Sequence, residues 1–129
     1  SAYSHAKLAN VLFARELARR LERSGRSVTS NSVQPGAIPG SGFTRFLPGP
    51  ISEFAGVLER VPGVTSVAEG AAALLVLACA PRLDGVSGRY FTGQRPSTPA
   101  AAATDDEAAR DLWEQSAALV DADEPLADA

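Results

Sequence analysis

The strongest constraint on the fold is a helical periodicity near the start of the sequence. Within residues 6–23, apolar side chains recur at steps of three and four, at Val11, Ala14, Ala18 and Leu21. This spacing predicts an amphipathic helix that must bury one face. Gly25 is a typical helix stop. The arginines of this segment are predicted to form mainly a solvated face: Arg15, Arg19, Arg20 and Arg23.

Tyr3 and Lys7 stand four residues apart at the beginning of this helix, so they share one helical face. A phenol titrates near ~10, and a lysine ammonium one turn away favours the phenolate. The spacing therefore predicts a proton-transfer pair in which Tyr3 exchanges the proton and Lys7 lowers the pKa of Tyr3. An ordinary helix surface is the alternative. Lys7 is the single lysine among twelve basic residues, which favours the specific role.

Composition excludes several classes of partner. The net charge of −3 and the pI of about 5.1 argue against nucleic acid. One cysteine, Cys79, cannot form an internal disulfide, suits a reducing, cytoplasmic compartment, and is expected in the core. With one histidine, His5, a metal centre is not expected, and His5 is predicted at a surface or interface. The longest apolar run, residues 71–80, is about half the ~20 residues of a membrane span, so a soluble protein is expected.

The middle of the chain predicts a strand and a long connection. Residues 27–34 favour a strand, which Pro35 and Gly36 end. In open α/β sheets, ligands bind just beyond the carboxyl ends of strands. Residues 36–64 are rich in glycine and proline and contain Phe43 and Phe46; residues 51–60 are compatible with a short helix. This segment is either a substrate loop with an apolar inner wall or a surface loop held by its aromatics.

The last part of the chain predicts two helices and a strand. Ser66 and Glu69 form a capping-box pattern before a helix to about residue 80, which is apolar nearly all round and expected to be buried. Residues 88–93 predict a second strand, followed by a connector at 96–103. A terminal helix is predicted at 104–120 with Trp113 as its docking anchor, and a disordered acidic tail at 121–129.

The order of these features resembles the C-terminal half of the short-chain dehydrogenase/reductase family over nearly the whole chain. Residues 3–10, Tyr-Ser-His-Ala-Lys-Leu-Ala-Asn, are similar to the active-site helix of its retinol-dehydrogenase-like and protochlorophyllide-reductase-like branches. Residues 33–38 resemble the strand-end motif beside the nicotinamide, and residues 112–116 the terminal helix. The resemblance implies an α/β fold in which residues 1–129 supply the last two strands and flanking helices of a Rossmann-type, doubly wound parallel sheet.

The resemblance also implies hydride transfer between NAD(P)(H) and a carbonyl or alcohol substrate. Tyr3 would be the general acid/base, and Lys7 would bind the nicotinamide ribose and lower the pKa of Tyr3. NADP is favoured by the branch resemblance alone. The positions that the resemblance assigns to the backbone contacts with the cofactor are Pro35, Gly36 and Ile38. Ser41 adjoins Gly40, where many relatives carry a cofactor-binding threonine, and Phe43 and Phe46 would contact an apolar substrate.

In this family the phosphate loop and the catalytic serine precede the tyrosine, so the sequence is expected to be the catalytic piece of a longer protein. The alternative is a non-catalytic, truncated dehydrogenase fragment that acts as a self-association or interaction module, and a homo-oligomer is compatible with either interpretation. An acyl-transfer hydrolase is excluded, because His5 is the only histidine and no Gly-x-Ser-x-Gly motif occurs.

Overall fold

The computed structural model describes residues 2–36 and 65–122. The elements in chain order are α1 (Ala2–Arg23), β1 (Ser32–Gln34), α2 (Val67–Cys79), β2 (Tyr90–Thr92), β3 (Arg95–Ser97) and α3 (Asp106–Leu119). Single turns of 3₁₀ helix occupy Pro81–Leu83 and Ala101–Thr104. Most of the predicted substrate loop at 36–64, with its short helix, and of the tail at 121–129 lies outside the described residues.

The three strands form one mixed sheet in the order β1-β2-β3. Gly88 N donates to Ser30 O at 2.7 Å and Ser32 N donates to Arg89 O at 2.9 Å. The residue numbers rise together along this pair, which is the register of parallel strands. β2 returns as β3 through the two-residue turn at 93–94. Two parallel strands connected through a helix, here α2, form the unit from which doubly wound sheets are built, and the predicted α/β class is confirmed.

The sequence does not predict β3, because most of this strand falls in the segment at 96–103, whose composition is typical of a connector. Arg95, Pro96 and Ser97 are all exposed, so no alternation of buried and exposed side chains marks the strand. Proline cannot donate a ladder hydrogen bond, which argues against a central strand. β3 lies at the edge of the sheet, where this donor is not needed.

β1 is shorter than the predicted strand at 27–34 because side chains take over its early hydrogen bonds. Ser30 N donates to Ser87 Oγ at 3.0 Å rather than to a ladder carbonyl. Asn31 Nδ2 donates to Val86 O at 2.7 Å, and Asn31 Oδ1 accepts from Arg89 N at 3.0 Å. Serine and asparagine compete with regular pairing in this way, so the ladder begins only at Ser32.

α1 ends where its sequence predicts. Gly25 has φ of +66°, Arg26 N donates to Leu21 O at 3.2 Å, and Gly25 N donates to Glu22 O at 3.1 Å. These two bonds are the 6→1 and 5→2 bonds of a Schellman motif. The left-handed residue in this motif favours glycine, because it carries no Cβ.

α3 packs against α1 through aromatic side chains. The Trp113 and Phe13 rings stack with centroids 5.0 Å apart and planes 20° apart, and Arg20 Cζ lies 4.8 Å from the Trp113 ring centroid. Trp113 is buried, which confirms its predicted role as a docking anchor. The helix is capped by Asp105, whose carboxylate accepts hydrogen bonds from Glu107 N and Ala108 N at 3.0 Å.

The prediction that the α1 arginines form mainly a solvated face is wrong, because they surround a buried carboxylate. Glu16 is 1% exposed, and Arg20 Nε donates to its Oε1 at 2.8 Å. Arg19 Nη1 lies 3.5 Å from Glu16 Oε2, and Arg23 Nη2 lies 3.6 Å from Glu16 Oε1. Arg15 Nε donates to Asp106 Oδ1 of α3 at 2.7 Å. We call Glu16, Asp106 and these four arginines the α1–α3 ion cluster.

α2 begins at the predicted capping box, since Ser66 Oγ accepts from Glu69 N at 3.2 Å and Ser66 N donates to Glu69 Oε2 at 2.8 Å. These hydrogen bonds hold the pKa of Glu69 below its usual value. The prediction that α2 is buried on most sides is wrong, since only Gly70 and Ala73 are buried. Cys79 is exposed rather than in the core. A helix that is apolar all round carries no polar face to indicate which side is covered.

The chain divides into two compact units. One comprises Ser1–Ser32, Leu83–Phe91 and Pro96–Ala129, and therefore holds α1 and α3. The other comprises Val33–Arg82 and Thr92–Arg95, and holds α2. Within the first unit the core includes Leu12, Leu21, Phe91 and Trp113.

Replacing Glu16 should destabilise the fold. In Glu16→Ala the buried arginine atoms lose their charged partner, and we expect the free energy of unfolding to fall by about 1.5–3 kcal/mol. Urea denaturation followed by circular dichroism measures this change. Glu22→Ala, which removes an exposed carboxylate from the same helix, should change the value by less than about 0.5 kcal/mol. Equal effects of the two substitutions would contradict a special role for Glu16.

The contact between α1 and α3 should weaken in acid. Hydrogen bonding from Arg15 holds the pKa of Asp106 below its ordinary value of 3.8, with smaller contributions from nearby arginine charges. A carboxylate with a lowered folded-state pKa stabilises the fold above its unfolded pKa, and this contribution is lost as pH falls through the folded pKa. Asp106→Asn should therefore flatten the dependence of stability on pH below about pH 4. Unfolding curves across this range test it, with Asp111→Asn as the control for losing one negative charge.

Candidate functional site

Tyr3 and Lys7 lie together on the first turns of α1. The helix begins at Ala2, so both side chains project from regular backbone one turn apart. Lys7 Nζ lies 5.5 Å from the centroid of the Tyr3 ring, which brings the cation over the aromatic face. Both side chains are exposed, with Tyr3 45% accessible. The structure therefore places the two predicted catalytic residues side by side at the surface, where a ligand can reach them.

Pro35 and Gly36 follow β1, as the sequence predicts. Gly36 has φ of +106°, a backbone conformation that side chains other than glycine's rarely adopt. A Cβ atom at this position would overlap Thr65 Oγ1 and lie 2.7 Å from Thr65 Cβ. Two independent constraints, the backbone conformation and the space occupied by Thr65, therefore require glycine here.

Thr65 contacts Gly36, and the sequence pattern assigns it no role. Its contact with Gly36 joins two positions far apart in the chain, and no local pattern in the sequence signals such a contact. The only available indication was the position of Thr65 at the end of the glycine- and proline-rich segment that Gly36 begins.

The remaining predicted site residues are placed as follows. Ile38, Ser41, Phe43 and Phe46 lie outside the described residues, so their roles stay predictions. Tyr3 and Lys7 belong to the first compact unit, whereas Pro35 and Gly36 belong to the second. His5 is exposed on α1.

The functional groups of Tyr3 and Lys7 fit the ribose end of a nicotinamide cofactor. A phenol both donates and accepts hydrogen bonds, and an ammonium supplies three donors that suit vicinal hydroxyls. Among residues 2–36 and 65–122, no group of three or more His, Cys, Asp or Glu side chains is arranged to hold a metal ion. The arrangement suits proton transfer to or from an oxygen atom.

The first unit also has a cavity of about 590 Å³, and neither Tyr3 nor Lys7 lines it. Arg19, Glu22, Arg26 and Asp84 are among its lining residues, so its wall carries charges of both signs. Arg19 is already paired with Glu16 and Asp106. Size alone does not mark this cavity as a site, and the pair on α1 carries the clearer chemistry.

Within the part of the chain that the structure describes, no helix is long and apolar enough to cross a membrane. No protein-family model matches the sequence.

Several curated proteins are similar to nearly the whole chain. Human "Retinol dehydrogenase 13" is 40% identical over 135 residues, which covers 97% of this chain and 38% of that protein. Mouse "Retinol dehydrogenase 14" is 40% identical over 124 residues, covering 92% of this chain and 35% of that protein. The Brassica napus "Short-chain dehydrogenase TIC 32 B, chloroplastic" is 37% identical over 122 residues. The match covers 93% of this chain and 37% of that protein.

The chain spans little more than a third of the length of these relatives, 35% to 38%. All three are named as dehydrogenases, and the similarity covers 92% to 97% of this chain. Over nearly its whole length, this chain is a relative of the short-chain dehydrogenases/reductases.

Proposed function

We propose that the chain is the catalytic portion of an oxidoreductase that transfers a hydride between NAD(P)(H) and a carbonyl or alcohol substrate. The observation that carries the proposal is the pairing of Tyr3 with Lys7, whose Nζ lies 5.5 Å from the phenol ring centroid on an exposed helical turn. The relationship to proteins named dehydrogenases supports it.

Tyr3 acts in this proposal as the general acid/base at the substrate oxygen. In the reductive direction its phenol donates a proton to the carbonyl oxygen, and in the oxidative direction it accepts the alcohol proton. The positive charge of Lys7 stabilises the negative charge that develops on the phenolic oxygen. Lys7 also donates hydrogen bonds to the hydroxyls of the nicotinamide ribose. The cofactor, when bound, supplies or accepts the hydride.

The turn after β1 supplies the rest of the proposed cofactor contacts. Backbone at Pro35, Gly36 and Ile38 would contact the nicotinamide, and Ser41 would add a hydroxyl. Phe43 and Phe46 provide an apolar surface for substrate, which agrees with relatives named for retinol, an apolar alcohol. NADP rather than NAD is favoured only by the resemblance of residues 3–10 to the two branches named above.

Removal of the Tyr3 hydroxyl tests the proposal. In the natural full-length protein, Tyr3→Phe should lower kcat for carbonyl reduction by about 10²–10⁴-fold, because a positioned proton donor is lost. The rate is measured as the change in nicotinamide absorbance with an apolar aldehyde or ketone. Tyr90→Phe, which alters the other tyrosine of this sequence, should leave kcat within about twofold. Near-normal turnover of Tyr3→Phe would exclude the assigned role.

Self-association is a second candidate function, and the exposed face of α2 favours it. Val67, Leu74 and Leu75 are 64%, 56% and 65% exposed. Positions separated by seven or eight residues lie on the same helix face, two turns apart, so these side chains give α2 one apolar exposed face. Contiguous exposed apolar patches commonly mark interaction sites. In this alternative the chain is a non-catalytic fragment that pairs with a second copy through α2.

Sedimentation equilibrium distinguishes this alternative. Self-association through α2 predicts a dimer that Leu75→Lys dissociates, because a charge would have to be buried in the interface. Leu119→Lys is the matched control, since Leu119 is 87% exposed on α3. A monomer at all concentrations, or equal effects of the two substitutions, would argue against an α2 interface.

A further inference from the structure

The contact between Gly36 and Thr65 closes the base of the segment at 37–64. The Thr65 side chain occupies the space that a Cβ at Gly36 would need, with Thr65 Cγ2 3.3 Å from that position. Thr65 and Gly36 are both half-buried. Both residues belong to the same compact unit. Gly36, which follows β1, is therefore held against Thr65, which precedes the N-cap of α2.

Thr65 is itself fixed in place by the start of α2. The next residue, Ser66, is the N-cap, and its Oγ donates to Glu69 Oε2 at 2.9 Å in addition to the two capping-box hydrogen bonds. Reciprocal capping satisfies donors at the helix end and restricts the backbone entering the helix. Thr65 thus has a defined position from which it can restrain Gly36.

We propose that Thr65 is a positioning residue for the nicotinamide cofactor, and that it acts through Gly36. This inference rests on the proposed function, in which backbone at Pro35 and Gly36 contacts the nicotinamide. Thr65 does not touch the cofactor in this proposal. Its side chain packs on the bare Cα of Gly36 and holds the turn in the conformation that the cofactor binds.

The need for such a restraint follows from glycine itself. A glycine with φ of +106° lets the Thr65 side chain approach its backbone closely, but glycine also has the largest conformational freedom of any residue. Without packing, the turn would populate several conformations, and only the competent fraction would bind cofactor at full affinity. Thr65 supplies the missing contact and raises that fraction. Because Tyr3 performs the proton transfer, the chemical step is unaffected once the cofactor is bound.

Kinetics of the natural full-length protein test this separation of binding from chemistry. Thr65→Ala should raise the KM for the nicotinamide cofactor about fivefold. This is the change in affinity expected when the backbone of roughly one residue must be ordered on binding. The value of kcat should stay within about twofold, since the transition-state contacts of Tyr3 are retained. Thr65→Ser keeps the Oγ atom that lies nearest Gly36 and should restore most of the affinity.

Ser66→Ala is the matched control. It loosens the cap that fixes the position of Thr65 but keeps the Thr65 side chain, so it should lower stability and raise the cofactor KM by clearly less than Thr65→Ala does. If Ser66→Ala reproduces the effect of Thr65→Ala, then loss of the helix end alone explains it and the positioning role is overturned.

A measurement without cofactor separates failure of this inference from failure of the proposed function. Thr65→Ala should lower the NMR order parameter of the Gly36 amide by clearly more than Ser66→Ala does. Unchanged Gly36 order in Thr65→Ala would overturn the restraint, whatever the activity. Lower Gly36 order together with a wild-type protein that shows no nicotinamide-dependent turnover would retain the restraint and overturn its role toward the cofactor.

Discussion

The buried carboxylate of Glu16 is the interaction on which the packing of α1 depends. Isolating a charge from water costs several kcal/mol, so Glu16 at 1% exposure requires close positive partners. Arg20 and Arg19 supply them within the same helix, and Arg19 Nη1 also lies 3.5 Å from Asp106 Oδ1 at the start of α3. Through Arg19, the α1–α3 ion cluster therefore connects the buried charge of Glu16 in α1 to the start of α3. A buried pair adds little net stability, and its stronger effect here is on orientation.

Aromatic packing adds a second point of attachment between the same helices. Trp113 stacks on Phe13 while Arg20 lies over its ring, so Arg20 contributes both to the ion cluster and to the apolar contact. Two attachments at different heights fix the rotation of α1 about its axis. Because an α-helix advances about 100° per residue, a fixed rotation at residues 13–20 also fixes the direction in which Tyr3 and Lys7 project. The Tyr3–Lys7 pair is thus oriented by contacts made further along its own helix.

Local signals in the sequence predicted local structure well, and contacts between distant segments were missed. Gly25 and the Ser66 capping box act within one helical turn, and both are found as predicted. The strand β3 was missed because its edge position, which tolerates proline, depends on the sheet. The buried state of Glu16 was missed because charge patterning alone favours solvent. In the candidate site, the sequence spacing predicted that Tyr3 and Lys7 lie on one helical face, whereas no sequence pattern predicted the contact of Gly36 with Thr65.

Within the proposed active site, the Gly36–Thr65 contact separates a turn that keeps one geometry from the segment at 37–64, whose sequence can vary. Closing a long segment costs entropy that grows only slowly with its length, about 0.6 kcal/mol for each doubling. Gly36 and Thr65, which flank the segment at 37–64, are in contact, so the length and composition of the segment can change at small cost without moving either residue. In the proposed function, substrate preference can then vary within the segment, while the proposed backbone contacts of Gly36 to the cofactor keep one geometry. On this reasoning, the proposed restraint by Thr65 would allow one cofactor-binding turn to serve different substrates.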